Sequence, residues 1–201
     1  MIIVRRPASL LTASIVLSLA AAFPAGARTP TVKPLTIEPG VSIGGVKVGM
    51  SKAKAVAAWG KPDGCTSDQY KTTTCEYRPN GPFASDPSPK NYPVATIKLR
   101  SGKVITVSVT ITPNTAVAKK LKRLKTSKNI KLGSKLPDAR RAYGLPPGSG
   151  GEAGITRALV KKSQRCTLFY APDATTAAPS ASITSIEVGL CSKNNGLDGG
   201  L

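Results

Sequence analysis

Val46-Lys47-Val48-Gly49-Met50-Ser51 leads through Ala53, Val56 and Ala57 into Trp59-Gly60-Lys61-Pro62, and the same design returns further along the chain. Ile130-Lys131-Leu132-Gly133-Ser134-Lys135 leads through Ala139 and Ala142 into Tyr143-Gly144-Leu145-Pro146. The offset is constant at 84: Gly49 matches Gly133, Ala55 matches Ala139, Ala58 matches Ala142, Trp59 matches Tyr143, Gly60 matches Gly144 and Pro62 matches Pro146. An apolar-x-apolar-Gly entry, a short helix, an aromatic and Gly-x-Pro therefore occur twice in register.

Local physical chemistry supports a helix in each copy. Ser51 is placed to cap a helix over Lys52–Trp59 by accepting from a free backbone N–H. Gly60 can take the left-handed conformation that ends it, and Pro62 prevents its resumption. Ala55, Val56 and Trp59 fall on one face. In the second copy Ser134 is the expected cap, Pro137 sits in the tolerant first turn, and the apolar stripe narrows to Leu136, Ala139 and Tyr143. Both helices are too short to persist alone, so each requires a sheet. Trp59 and Tyr143 are read as the side chains that anchor helix to sheet.

Strand signals follow each helix. Tyr70 to Arg78 is rich in Thr and Tyr, and Val94–Leu99 alternates; Ser101-Gly102 then turns the chain into Val104–Ile111, which alternates again, a hairpin pattern. Ile155–Val160, Cys166–Tyr170 and Ser182–Leu190 read as three strands of the second unit. Long loops are expected at Pro79–Pro93 and Ala171–Ala181. The expected fold class is α+β: two tandem units, each a short helical segment packed on a three- or four-stranded antiparallel sheet.

The remaining chain sets the compartment. Arg5 and Arg6, an uncharged apolar run over Ser9–Ala22 and the small residues Ala25-Gly26-Ala27 read as a signal peptide cleaved near Ala27; the run is short for a bilayer span. The domain reading is residues 1–27 signal peptide, 28–39 Pro-rich leader, 40–113 first repeat, 114–127 basic linker, 128–191 second repeat and 192–201 disordered polar tail. The protein is expected to be secreted or associated with the cell envelope, with no transmembrane span in the mature chain. Its formal charge of +19 falls to +17 without Arg5 and Arg6, which bears on partners rather than on fold.

Four cysteines in an exported chain read as two disulfides. Three pairings are possible; Cys65 with Cys75 and Cys166 with Cys191 keeps both bridges local and is preferred, each contributing roughly 2–4 kcal/mol. No metal site and no cofactor are expected: the chain has no His, and the cysteine spacings fit no common zinc pattern.

The scaffold residues Gly49, Trp59, Gly60, Pro62, Gly133, Tyr143, Gly144 and Pro146, with one local bridge per unit, resemble the tandem helix-on-sheet superfamily of the beta-lactamase inhibitory protein and the small outer-membrane assembly lipoproteins. The resemblance runs from Gly44 to Cys191. It implies small helical segments on antiparallel sheets, with two sheets forming a surface that grips another protein. It does not extend to lactamase inhibition, because that inhibitor's acidic and aromatic contacts have no counterpart in a chain with ten acids against 29 Lys and Arg.

Between the repeats lies a cluster of cations: Lys119, Lys120, Lys122, Arg123, Lys125 and Lys128, continuing to Lys131 and Lys135. A helix over Ala116–Leu124 would place Val117, Leu121 and Leu124 on one face and cations on the other. Such a segment can meet an anionic polymer or membrane surface, or serve as a solvated linker. Cations suffice for weak phosphate binding, but export and sparse strand aromatics argue against nucleic acid as a natural partner, and none is expected. No catalytic residues are assigned, and the chain is read as non-enzymatic: a His-based triad is impossible, and Asp63 and Asp68 read as surface residues on a turn. Glu76, Tyr77 and Arg78 could contribute to an exposed sheet face, but ordinary cross-strand pairs explain them. Two functions remain: a secreted protein-binding or inhibitor-like module using a surface formed by both sheets, or an envelope-associated structural or assembly protein held through its basic segment. The corresponding partners are an extracellular protein or an anionic envelope polymer.

Overall fold

A computed structural model describes residues 33–78, 93–111, 121–145, 155–172 and 181–191. The signal peptide, the tail, Pro146, Lys119, Lys120, Val117 and most of the two expected long loops lie outside these residues. The fold is α+β, with few helices and mostly antiparallel sheets. In chain order the elements are β1 (Thr36–Glu38), β2 (Ser42–Ile43), β3 (Val46–Lys47), α1 (Lys52–Trp59), β4 (Gly64–Ser67), β5 (Thr72–Tyr77), β6 (Ala95–Arg100), β7 (Lys103–Thr110), β8 (Lys125–Thr126), α2 (Leu136–Tyr143), β9 (Ile155–Lys162), β10 (Arg165–Pro172) and β11 (Ser185–Leu190).

In place of separate sheets, strands from both halves of the chain join in one seven-stranded sheet, β4-β5-β6-β7-β11-β10-β9. Four strands from the first half and three from the second meet where β7 pairs antiparallel with β11, from Ser185 opposite Thr110 to Gly189 opposite Thr106. Alternation over Val94–Leu99 and Val104–Ile111 marks strands but not which strand lies on the far side of β7. The hydrogen-bonding edge that β7 exposes is taken by β11.

A second, four-stranded sheet has the order β3-β2-β1-β8. It corrects two expectations. The Pro-rich leader contains β1, whose Ile37 is buried. The segment between the repeats contains β8, which runs parallel to β1, with Leu121, Leu124 and Thr126 buried around it. The apolar spacing of Leu121 and Leu124 therefore packs into the core, which a solvated linker would not.

The core lies between one face of the large sheet and a layer made of the helices and the small sheet. α1 packs against β3 and β7, α2 against β9 and β10, and β2 and β3 against β7. Trp59 is fully buried; its Nε1–H donates to the Gly44 carbonyl at 3.0 Å and its ring meets Tyr77 edge-on at 5.6 Å. Tyr143 stacks on Phe169 at 5.8 Å. Each aromatic thus ties the end of its helix to a strand, and Tyr77 belongs to the core rather than to an exposed sheet face.

The two helix entries make the same backbone hydrogen bonds. The Gly49 N–H donates to the Val104 carbonyl, the Val104 N–H to Met50 and the Lys52 N–H to Gly102. Likewise the Gly133 N–H donates to Ile183, the Ile183 N–H to Ser134 and the Leu136 N–H to Ala181. Gly49 and Gly133 both have positive φ, 88° and 87°, a conformation that favours glycine. The caps differ. Ser51 Oγ accepts from the Lys54 N–H at 3.5 Å. Ser134 is not the cap of α2: Lys135 occupies that position without a side-chain capping bond, its ammonium donating instead to Ser182 Oγ at 3.3 Å, and Ser134 Oγ accepts from the Lys131 N–H in the preceding turn.

Both local disulfides form. Cys65 and Cys75 are directly opposed on β4 and β5, with a Cα–Cα distance of 4.0 Å. Cys166 at the start of β10 reaches Cys191 just beyond β11 over 5.2 Å.

Candidate functional site

Side chains on a strand alternate between faces, so the face of the large sheet turned away from the helices can be read from the core. Cys75, Tyr77, Ala95, Ile97, Val107, Val109, Ile186 and Val188 enter the core. Their neighbours Glu76, Thr96, Lys98, Ser108, Thr110, Ser185, Glu187 and Tyr170 occupy the opposite face. This second face is polar through its centre and crosses the joint between the halves. Thr96 and Ser108 hydroxyls meet at 2.6 Å across β6 and β7, and Thr110 and Ser185 hydroxyls at 3.1 Å across β7 and β11.

Glu187 lies opposite Ser108 at the middle of the β7–β11 pairing. Burial raises its carboxyl above the usual carboxylate range; the Lys98 charge and a hydrogen bond from Tyr170 oppose that shift. Lys98 comes from the first half and Glu187 and Tyr170 from the second, so this polar centre exists only because the sheets join. Further out, Arg78 pairs with Glu76 at 2.6 Å, both half-buried. Beside Cys166 and Leu168 on β10, the face carries a small apolar cluster with Leu159 and Tyr170.

The carboxylates near the first disulfide have structural work. Asp63 Oδ2 accepts from the Arg78 N–H at 2.6 Å, while Oδ1 is enclosed without a hydrogen-bond partner among the described residues; a surface reading of Asp63 is thereby corrected. Asp68 is exposed and accepts from the N–H groups of Tyr70 and Thr72, both at 2.9 Å, which shapes the β4–β5 turn. Burial, then the Asp63 charge, raises the Tyr77 phenol; its hydroxyl donates to the Gly60 carbonyl at 2.8 Å.

The expected polyanion-binding residues divide. Lys122, Arg123 and Lys125 are exposed. Lys128 is exposed but engaged: its ammonium donates to the Ala142 carbonyl and lies 4.9 Å above the Tyr143 ring. That position at the end of α2 suits a cation, because the last helical carbonyls carry partial negative charge. Glu187, Lys98, Tyr170, Thr96 and Ser108 were not singled out as candidates from the sequence. The alternation of their strands places each on one face; only the pairing of β7 with β11 brings them together.

No protein-family model and no curated protein matches the chain. Solved structures with partial overlap include an extracellular protein containing a SCP domain from Bacillus anthracis, at 14% identity and a TM-score of 0.45, covering 71% of this chain and 43% of that one. A cysteine-rich secretory protein from Staphylococcus aureus overlaps at 11% identity and a TM-score of 0.45, covering 83% of this chain and 49% of that one. The chain thus spans less than half the length of either protein, and neither likeness assigns it a function. The fold-level resemblance to the beta-lactamase inhibitory protein and the assembly lipoproteins is corrected: the overlapping solved structures are an SCP-domain protein and a cysteine-rich secretory protein. The motif that suggested it consists of a helix entry, a glycine stop and a proline, which punctuate short helices generally, and so does not identify a family.

Proposed function

We propose that the chain is an exported, non-enzymatic binding module that engages a partner protein through the face of its seven-stranded sheet that is turned away from α1 and α2. The observation that carries this reading is the continuous polar face over the β7–β11 joint, with Lys98 from one half and Glu187 and Tyr170 from the other. The repeated hydrogen bonds at Gly49 and Gly133 support two copies of one unit joined there. Its two disulfides suit an oxidising compartment, as does the signal-peptide pattern of residues 1–27. Because the centre of the face is polar, recognition rests on hydrogen bonds and charge, which favour specificity and encounter rate.

The test is a binding comparison using the mature protein and a Thr96→Lys, Thr110→Lys double variant, both positions being partly exposed, with the fold of the variant checked by circular dichroism. A one-to-one protein complex that survives about 0.5 M salt, where exposed charges are strongly screened, and is lost in the double variant supports the reading. Retention of the complex by a folded double variant refutes it.

A second reading has its own support. Lys122, Arg123, Lys125 and Lys131 are all exposed, and no acidic residue falls between Asp86 and Asp138. An anionic envelope polymer held by this segment would dissociate in modest salt.

A further inference from the structure

The small sheet meets the β9–β10 turn along an open groove of ≈ 590 Å³, which continues into a second hollow of ≈ 400 Å³. Val41 and Lys162 line both hollows. Lys125 enters the first from β8, and Arg165 lines the second from β10. Among the described residues, neither Lys125 nor Lys162 forms an ion pair with a carboxylate. Among the described residues, Glu38 is the single acidic one lining either hollow. Ser127 and Asn129 add polar groups to the first. Among the described residues, no aromatic side chain lines the groove.

The walls are fixed where the two sheets touch. The Gly40 N–H donates to Thr167 Oγ1 at 2.7 Å in a buried bond, which holds the β1–β2 turn on β10. A Cβ on Gly40 would stand 2.7 Å from Lys162 Cβ, so the stem of Lys162 is seated directly against that backbone. Lys162 therefore projects from a rigid joint between the hollows. Cations far apart in the sequence, at 125, 162 and 165, are gathered by the fold along one elongated depression.

We propose that this groove binds a linear anionic polymer whose phosphate or carboxylate groups are spaced along a polyol or sugar backbone. The proposal deepens the second reading and rests on it: it replaces a diffuse basic segment by a defined track centred on Lys125 and Lys162. Two adjoining hollows bridged by a cation suit a chain-like ligand with repeated charges. The described lining residues offer no aromatic stacking platform of the kind on which single-stranded nucleic acids depend.

The test measures binding of the full-length mature protein to poly(glycerol phosphate) and to polygalacturonate, with neutral dextran and single-stranded DNA as comparisons. The more tightly bound of the two anionic polymers identifies the charged group. A Lys125→Gln, Lys162→Gln variant is expected to bind about tenfold or more weakly, given roughly 1 kcal/mol for each surface cation near an anionic surface. Its slope of log affinity against log salt should fall by about 1.5. A Lys52→Gln, Lys103→Gln variant removes two exposed cations outside the groove and should bind nearly as the parent does. Equal losses in the two variants would overturn the groove while leaving the second reading standing. Binding of neither anionic polymer by the parent would overturn both. Tighter binding of DNA than of either polymer would overturn the ligand class.

Discussion

Replacing Trp59 by Ala should remove the largest single anchor between α1 and the large sheet. The indole is fully buried, and burying a Trp side chain removes roughly 150–250 Å² from water. At about 25 cal/mol per Å² that is about 4–6 kcal/mol, consistent with the roughly 3–5 kcal/mol typical of such truncations. The change also breaks the edge-on contact with Tyr77 and leaves the Gly44 carbonyl without its indole donor. Trp59→Phe separates the contributions: it keeps an aromatic ring but lacks the N–H, and should cost about 1–3 kcal/mol. Tyr143→Ala provides the matched position in the second half. Tyr143 is only half-buried, so its truncation should cost less than that of Trp59. The assay is urea unfolding followed by far-UV circular dichroism, because the Trp variants abolish indole fluorescence. A Trp59→Ala loss below about 2 kcal/mol, or equal losses for Trp59→Ala and Trp59→Phe, would refute the anchoring argument.

Glu187 has a raised folded-state pKa, so the folded chain holds its proton more tightly than the unfolded chain. Its contribution to stability is fully present below the unfolded carboxylate range and is lost as pH rises through the raised value; Glu187→Gln should flatten that part of a stability–pH curve, and an unchanged slope would refute it. Gly40→Ala meets both a positive φ and Lys162 Cβ at 2.7 Å, and should destabilise by about 1–3 kcal/mol in chemical unfolding. The disulfides span separations of 10 and 25 residues; chain entropy gives about 2.7 and about 3.5 kcal/mol respectively. Paired Cys→Ala variants should therefore show the larger loss for Cys166–Cys191 in equilibrium unfolding.

The short-range features were legible because they are written locally. Ser51, Gly60 and Pro62 bound α1 at Lys52–Trp59, and Ser101-Gly102, both at positive φ, turns β6 into β7. The Gly44-Gly45 pair, also at positive φ, signals the β2–β3 hairpin in the same way, but strands of two residues offer no alternation to reinforce it. β4 carries Gly, Cys, Thr and Ser in a mostly exposed edge strand, so no apolar period marks it. β8 sits among lysines and is a strand because β1 pairs with it; its own composition does not select that state. The candidate face and groove share this difficulty. Their residues are ordinary surface residues in sequence, assembled by the pairings of β7 with β11 and β1 with β8.

The parallel β1–β8 pair also orders events in time. β1 emerges early in the chain and can pair with β2 at once, yet its other edge waits for Lys125 and Thr126. Closing so long an interval is slower than forming the neighbouring hairpins. Were the chain threaded out of the cell from its N-terminus, β1 would remain an open edge until the whole first half and the segment that follows β7 had crossed. The acid-free, cation-rich stretch that precedes its completion gives the emerging chain a net positive charge, which opposes association with other copies during that delay.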